Sequence, residues 1–507
     1  MKMKKLTALL LTAALALGTL TASGQEETPQ TDEGDYYEIV MAVPTLGAEP
    51  SGLADVEAAL NAEVGPELGV KVTMYPISLA DLYSQQTLLV SSGDKLDLIS
   101  VFFSGVGPYL SMGALMELDD LYAAYGADIK AAEGIAVAGG YYNGKLYAIP
   151  SEEKLARSYG FFARADILQE LNMSYDANAV YSYDDLEALF AAYKEKYGDG
   201  YYCIAGNTAT SDFYTYLHEV DVLGGGTSDG VLMDGGLGGN TTVESMYQSE
   251  AYGDYAQRMY DWAQKGYIPA DAATNTDTNT LQIQSGYYLG CFSSTETDMI
   301  SNMSRDCGYE MVPINTIAPW CQTSMYQTTM WGISATCENP EKTFQFLNYM
   351  YADNTIDNLL TYGLEGVSYE VVEKGEKDGQ MVIRYADGVD AANTPYNMAM
   401  HVYGDKTTIA VFEPMTLDYY TMCEQLNNSI PDNRKSVTLG YVFDSTPVSS
   451  QASAVSAVVQ QYCGLIAAGA QNPDVVLPEF RDALKAAGED EIIAENQKQL
   501  DAWLAQQ

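Results

Sequence analysis

From residue 36 onward, short apolar runs alternate with longer amphipathic ones. YYEIVMAVP is extended and stops at Pro44, GLADVEAALNAEVGPELG has a helical period, and VKVTMYPIS is extended again. SLADLYSQQTLLVSSGDKLDLISVFF then predicts a helix, a turn at Ser92-Gly93-Asp94 and a buried strand over 96–103. Strands separated by helices of this length pair in parallel, because a parallel neighbour is reached only by a long crossover. The rhythm returns in DDLEALFAAYKEKYG, a helix closed by Gly198, and in the strand YYCIAG. VESMYQSEAYGDYAQRMYDWAQKGYI reads as a helix up to Gly266, and LQIQSGYYLGCFSS as a helix turning into a strand. MWGISATC is a strand, and Asn339-Pro340 starts a helix in NPEKTFQFLNYMYAD. The Gly-rich stretch VLGGGTSDGVLMDGGLGGN reads as a surface loop. The expected fold class is α/β.

The start of the chain has a different character. Lys2, Lys4 and Lys5 precede an apolar stretch over 6–20, and small residues follow at Ala22-Ser23-Gly24. That is the layout of a secretory signal peptide over 1–24, with an apolar core too short to span a membrane comfortably. Residues 25–35, QEETPQTDEGD, have no apolar period and read as a flexible tether. A formal charge of −44 opposes binding to nucleic acid or anionic membranes, which need basic patches. With 47% hydrophobic residues the chain can nevertheless fill several cores. Seven cysteines lie far apart with no C-x-x-C pair, and only two histidines are present, so neither a structural zinc site nor a cofactor is expected. The cysteines read mostly as buried small apolar residues.

Catalytic motifs are few. Gly226-Thr227-Ser228-Asp229-Gly230 matches G-x-S-x-G, with His401 downstream. A nucleophile elbow needs a strand before the serine and a helix after it, whereas SDFYTYLHEVDVL reads as helix and loop glycines follow. Glu152 and Glu153 are adjacent, and adjacent strand residues point to opposite faces, so they do not flank one glycosidic bond. An exported glycan hydrolase, or an esterase using Ser228, therefore stands as the alternative reading.

Several segments in order are more informative. SGDKLDLISVF, YYNGKLYAIPSEEKLARSYGFFARADILQELNM, YSYDDLEALFAAYKEKY, SGYYLGCFSS and MWGISATCENPEKTFQFLNYMYAD are followed by NLLTYGLEGVSYEVV, LGYVFDSTPVSS and LPEFRDALKAAGEDEIIAENQKQLDAWLA. Together they resemble bacterial ABC-transporter extracellular solute-binding proteins, of the larger lipoprotein type associated with carbohydrate uptake. The resemblance implies a two-lobed periplasmic-binding-protein-like fold with crossing hinge strands (type II). It also implies a solute held in the cleft and closed upon by the lobes. Lobe 1 is expected over 36–147 and 290–330, and lobe 2 over 148–289 and 331–507. Crossovers are expected near 146–150, 287–292 and 330–334, and a C-terminal extension from about 370 should pack on lobe 2.

The implied partners are a small-molecule sugar and a membrane ABC permease, with the binding protein itself a monomer and no catalysis of its own. A non-sugar solute such as a peptide is the other possibility within the binding class. Sugar recognition combines aromatic faces with polar groups that bond hydroxyls. The candidate ligand-binding residues are Phe103 at the end of the strand expected over 96–103, Glu152 and Glu153 after the crossing Pro150, and Tyr159 further along that crossing. Tyr214, Ser293, Thr295, Glu296, Tyr326 and Trp331 complete the set. Period two lets only one of Phe102 and Phe103 face the cleft, and Phe103 is preferred. Relatives from single-membrane bacteria carry a lipidated Cys where this chain has Ser23, so it is expected to be exported without lipid.

Overall fold

Residues 36–45, 49–103, 105–206, 213–275, 277–377, 379–390, 393–396 and 402–507 are described by a computed structural model. The signal peptide, the tether, Ser23 and His401 lie outside them. In chain order the strands are β1 (Tyr37–Thr45), β2 (Val70–Ser78), β3 (Leu98–Phe102), β4 (Ala148–Pro150), β5 (Arg157–Arg164) and β6 (Tyr202–Ala205). They continue with β7 (Tyr288–Ser294), β8 (Met311–Trp320), β9 (Thr329–Ile333), β10 (Tyr369–Lys374), β11 (Met381–Tyr385) and β12 (Val411–Phe412). A short hairpin, Tyr141–Tyr142 with Lys145–Leu146, stands apart from them.

The first sheet has the order β2-β1-β3-β9-β4, in which β1 runs parallel to β2 and β3. Helices cover both of its faces, which is why β1 and β3 read as nearly unbroken apolar runs, with Ile39, Met41, Val43, Leu98 and Val101 fully buried. The second sheet has the order β8-β5-β7-β6 and mixes parallel with antiparallel pairs. Each sheet carries its own hydrophobic core, so the molecule has two lobes. A third sheet, β10-β11-β12, is small and packs with the helix Asp418–Ser429.

Local signals in the chain act as expected. Ser182 accepts a bond from the Asp185 N–H and Asp185 accepts one from the Ser182 N–H, a capping box that starts the helix Tyr183–Tyr197, and Gly198 ends it. Asn339 caps the helix Pro340–Tyr349 through the Lys342 N–H at 3.2 Å. Two helices are shorter than the sequence suggests. The helix ending before Gly266 begins only at Glu250, and the described residues 213–223 contain just a single turn of 3-10 helix, Tyr214–Tyr216.

The lobe boundaries differ more. Residues 290–320, expected in lobe 1, lie in the second sheet as most of β7 and β8. Residues 331–362, expected in lobe 2, belong to the first lobe, where β9 inserts antiparallel between β3 and β4 and Phe344, Leu347 and Leu360 join the core. The chain crosses between the sheets at 151–156 and again at 321–328, not at 287–292. A third crossing runs beside the second, where Cys321 pairs with Arg434 and Ser436 through backbone bonds of 3.0 Å each. The part of the C-terminal region from 437 fills the second lobe's core with Phe480, Leu484, Ile492 and Leu500, and Ile430 before it packs on Trp320 of the second sheet. The strands Tyr369–Lys374, Met381–Tyr385 and Val411–Phe412 build the third sheet instead, while Tyr396, Val402 and Tyr403 join the first lobe's core. The physical reason is that pairing partners are non-local. An apolar run such as TMWGI fits the middle of either sheet equally well.

Candidate functional site

A cavity of about 840 Å³ opens between the lobes. The first lobe contributes Phe103, Pro108 and Tyr142, the second crossing contributes Gln327 and Thr328, and the second lobe contributes the loops 224–229 and 442–446. Val442 turns its side chain into the first lobe's core while Tyr441 and Phe443 enter the second's, so this segment straddles both lobes. Tyr142 of the first lobe meets Asp444 of the second. Burial and that carboxylate together push the Tyr142 phenol's pKa up.

Phe103 is the most telling residue here. It follows β3 directly, has φ +61°, and leaves its ring 59% exposed against this cavity. Its N–H donates to the Thr328 carbonyl at 2.9 Å, which holds the turned-out backbone to the second crossing. The neighbouring Phe102 is buried, its ring edge-on to Trp331 at 5.4 Å. A left-handed backbone costs a non-glycine residue about 1–2 kcal/mol. That strain is spent on keeping an apolar ring exposed in the cavity.

The first crossing carries a buried charge cluster. Both carboxylate oxygens of Glu133 accept the Glu152 N–H, at 3.2 and 3.1 Å. Glu152 lies 3.8 Å from Arg157, and Glu153 lies 3.6 Å from both Lys154 and Lys406. Lys406 also donates to Thr329 Oγ1 at 2.9 Å, tying the two crossings together. Burial raises the Glu152 pKa to about 7, against the pull of Lys406 and Arg157. Burial likewise raises Glu133 well above the carboxylate range, and Glu152 adds to it.

The other candidates are dispersed. Thr295 and Glu296 line a second, smaller cavity of about 260 Å³. Tyr159 packs on Tyr216 with ring centroids 5.7 Å apart, Ser293 pairs with Gly160 in the second sheet, and neither lines the large cavity. Three aromatic expectations are corrected. Trp331 is fully buried, donates to the Val402 carbonyl at 2.5 Å and stacks on Tyr403. Tyr326 is buried with its hydroxyl on the Leu155 carbonyl, and Tyr214 is buried against His218 with centroids 4.1 Å apart. The central positions in their strands or turns, facing filled cores, leave these rings no path to the cleft.

Sequence reasoning missed the two loops of the second lobe. Gly224 has φ +72°, and a Cβ there would stand 2.9 Å from Val442 Cγ2, so the backbone must approach closely. The run of three glycines was the available signal. Ser228 sits in this loop among turns, with no strand before it or helix after it, so the elbow geometry is absent. Its hydroxyl bonds Asp229. Six of the seven cysteines are buried, in keeping with their reading as small apolar residues.

Residues 58–381, more than half of the chain, match the family model of bacterial extracellular solute-binding proteins. This chain is a bacterial extracellular solute-binding protein. Residues 437–505 of this solute-binding protein also match a domain of unknown function. A carbohydrate ABC transporter substrate-binding protein of Streptococcus pneumoniae serotype 4 is 25% identical, over 96% of this chain and 95% of its own length. The two-lobed fold recurs in the crystal structure of the N-glycan transport solute-binding protein NgtS from Streptococcus pneumoniae, with a TM-score of 0.76 and 24% identity over 92% of this chain and 99% of that one. The same protein in complex with Man5GlcNAc gives 0.66 at 23% identity over the same shares. An extracellular solute-binding protein from Bifidobacterium longum subsp. infantis gives 0.65 at 15% identity, over 93% and 99% of the two chains. Among the described residues of this solute-binding protein no helix is long and apolar enough to cross a membrane.

Proposed function

We propose that this solute-binding protein captures an oligosaccharide in the cavity between its lobes and presents it to the permease of an ABC importer. The strained, outward ring of Phe103 in a cavity that also presents hydroxyls, Gln327 and the carboxylates of Asp229 and Asp444 carries this reading. A ring face stacks on the apolar side of a sugar, and the polar groups around it bond hydroxyls. A volume of about 840 Å³ holds several sugar units, within the range of ordinary ligand sites. The curated relative's carbohydrate role and the glycan complexes of NgtS support the same solute class. Lobe closure over the sugar, with the buried crossings acting as the hinge, is the change the permease reads. The protein works as a monomer outside the membrane and does not hydrolyse its solute.

A thermal-melt screen of the mature chain against mono- and oligosaccharides tests this. A ligand that binds only the folded chain stabilises it by about 4 kcal/mol at a thousandfold excess over Kd. One oligosaccharide family should raise the melting temperature without any product forming. A flat response to all of them, or the appearance of product, would overturn the proposal.

A further inference from the structure

The loop 442–446 lines the inter-lobe cavity, and residues 441–445 are neither helix nor strand. Backbone groups outside a helix or a ladder need other partners when they leave water. Here the last helix, Glu489–Leu504, supplies them. The Asp444 N–H donates to Gln499 Oε1 at 3.0 Å, and Gln499 Nε2 donates back to the Asp444 carbonyl at 2.9 Å. Asn496 is fully buried, donates from Nδ2 to the Asp229 carbonyl at 2.7 Å and accepts the Tyr441 hydroxyl on Oδ1 at 2.9 Å. Two amides of one helix thus hold both second-lobe loops of the cavity. The loops are also joined to each other, because the Phe443 N–H donates to the Leu223 carbonyl at 2.9 Å.

The helix does not line the cavity itself. Its influence runs through the backbone it grips. An amide bonded to both the N–H and the carbonyl of one residue fixes the place and the tilt of that residue. An irregular cavity wall held in its binding shape beforehand loses less affinity to ordering when the solute arrives. Gln497, on the same helix, offers a natural contrast. It accepts the Val243 N–H at 2.7 Å and donates to the Thr241 carbonyl at 3.1 Å, and neither of those residues lines the cavity. Each glutamine also donates to a carboxylate one helical turn away, Gln499 to Glu495 at 3.0 Å and Gln497 to Asp501 at 2.9 Å.

We propose that the domain of unknown function, residues 437–505, is the part of the solute site that sets affinity. Its segment 442–449 offers Asp444, Ser445, Thr446 and Ser449 to the solute, and its last helix holds that segment in the binding shape. Gln499 and Asn496 are the positioning residues. The proposal rests on the inter-lobe cavity being the solute site.

Gln499→Met and Gln497→Met in the intact mature chain form the test, since methionine keeps the length of the side chain and removes its bonds. Hydrogen exchange of the free proteins should be about tenfold faster over 442–446 in Gln499→Met, and faster only near 241–243 in Gln497→Met. Calorimetric titration with manno-, chito- and malto-oligosaccharides should show affinity weakened tenfold or more by Gln499→Met and unchanged within about twofold by Gln497→Met. Gln499→Glu keeps the acceptor and loses the donor, so it should fall between wild type and Gln499→Met, and it carries the test if the methionine variant does not fold. Equal affinities or equal loop exchange in the Gln499 and Gln497 variants would overturn the proposal while leaving the cavity as the solute site. A wild-type chain that binds none of these sugars would instead overturn the reading of the cavity, and this proposal with it.

Discussion

Glu133 and Glu152 meet inside the hinge, the carboxylate of the first accepting the backbone N–H of the second at 3.2 and 3.1 Å, and both side chains are buried. Burial favours the protonated forms, Glu152 adding to this at Glu133 and Glu153 at Glu152, while Lys406 and Arg157 oppose it at Glu152 only in part. The first crossing therefore holds a proton that the unfolded chain would release near neutrality.

The stability of the folded chain should carry that signature. Glu152 titrates near 7 when folded and near 4.5 when the chain is unfolded and the side chain is in water. Between those values Glu152 binds more proton in the native state than in the unfolded one, so its contribution to stability falls as pH rises from about 4.5 to 7 and is lost above. A shift of this size is worth on the order of 3 kcal/mol. Glu152→Gln should flatten the fall. Denaturant unfolding of both proteins across pH 4–8 checks it, and parallel curves would refute the assignment.

Phe103 should show a trade between strain and binding. Phe103→Gly removes the cost of φ +61° and should stabilise the chain by about 1 kcal/mol. The same change should weaken oligosaccharide binding at least tenfold. Calorimetry of unfolding and of ligand titration measures the two effects on one sample.

Trp331 should behave in the opposite way. It fills the first lobe's core beside Phe102 and Tyr403, so Trp331→Ala should cost about 3–5 kcal/mol. The folded fraction should still bind with unchanged affinity. A large loss of affinity at full folding would place this ring in the cleft after all.

Gly224→Ala should damage both properties. The new Cβ meets Val442 at a residue with φ +72°, a combined cost of about 2 kcal/mol or more. Because Val442 and its neighbours line the cavity, binding should weaken beyond what the lost stability explains. Melting temperature with and without saturating oligosaccharide separates the two.

Much of this molecule can be read directly from its residues. Asn339-Pro340 and Gly198 set helix ends through bonds within a few residues, and those ends appear where expected. Strand period allowed only one of Phe102 and Phe103 to face outward; Phe102 is buried, and Phe103, just past β3, is the exposed one. The family words along the chain pointed to two lobes, which the sheets form.

What the tertiary structure decided was which distant pieces meet. YLGCF and TMWGI are both continuous apolar strands, yet one sits in the second sheet and the other between β3 and β4. Nothing within either segment distinguishes those places, because burial on both faces erases any alternation. Glu133 and Glu152 are separated by a hairpin and a strand, and only folding makes them neighbours. The loops 224–229 and 442–446, far apart in the chain, pack together at one cavity. Local sequence determines helices, caps and turns because their bonds are short in chain length; sheet membership, the hinge's proton and the cavity walls depend on contacts across hundreds of residues, which only the assembled fold supplies.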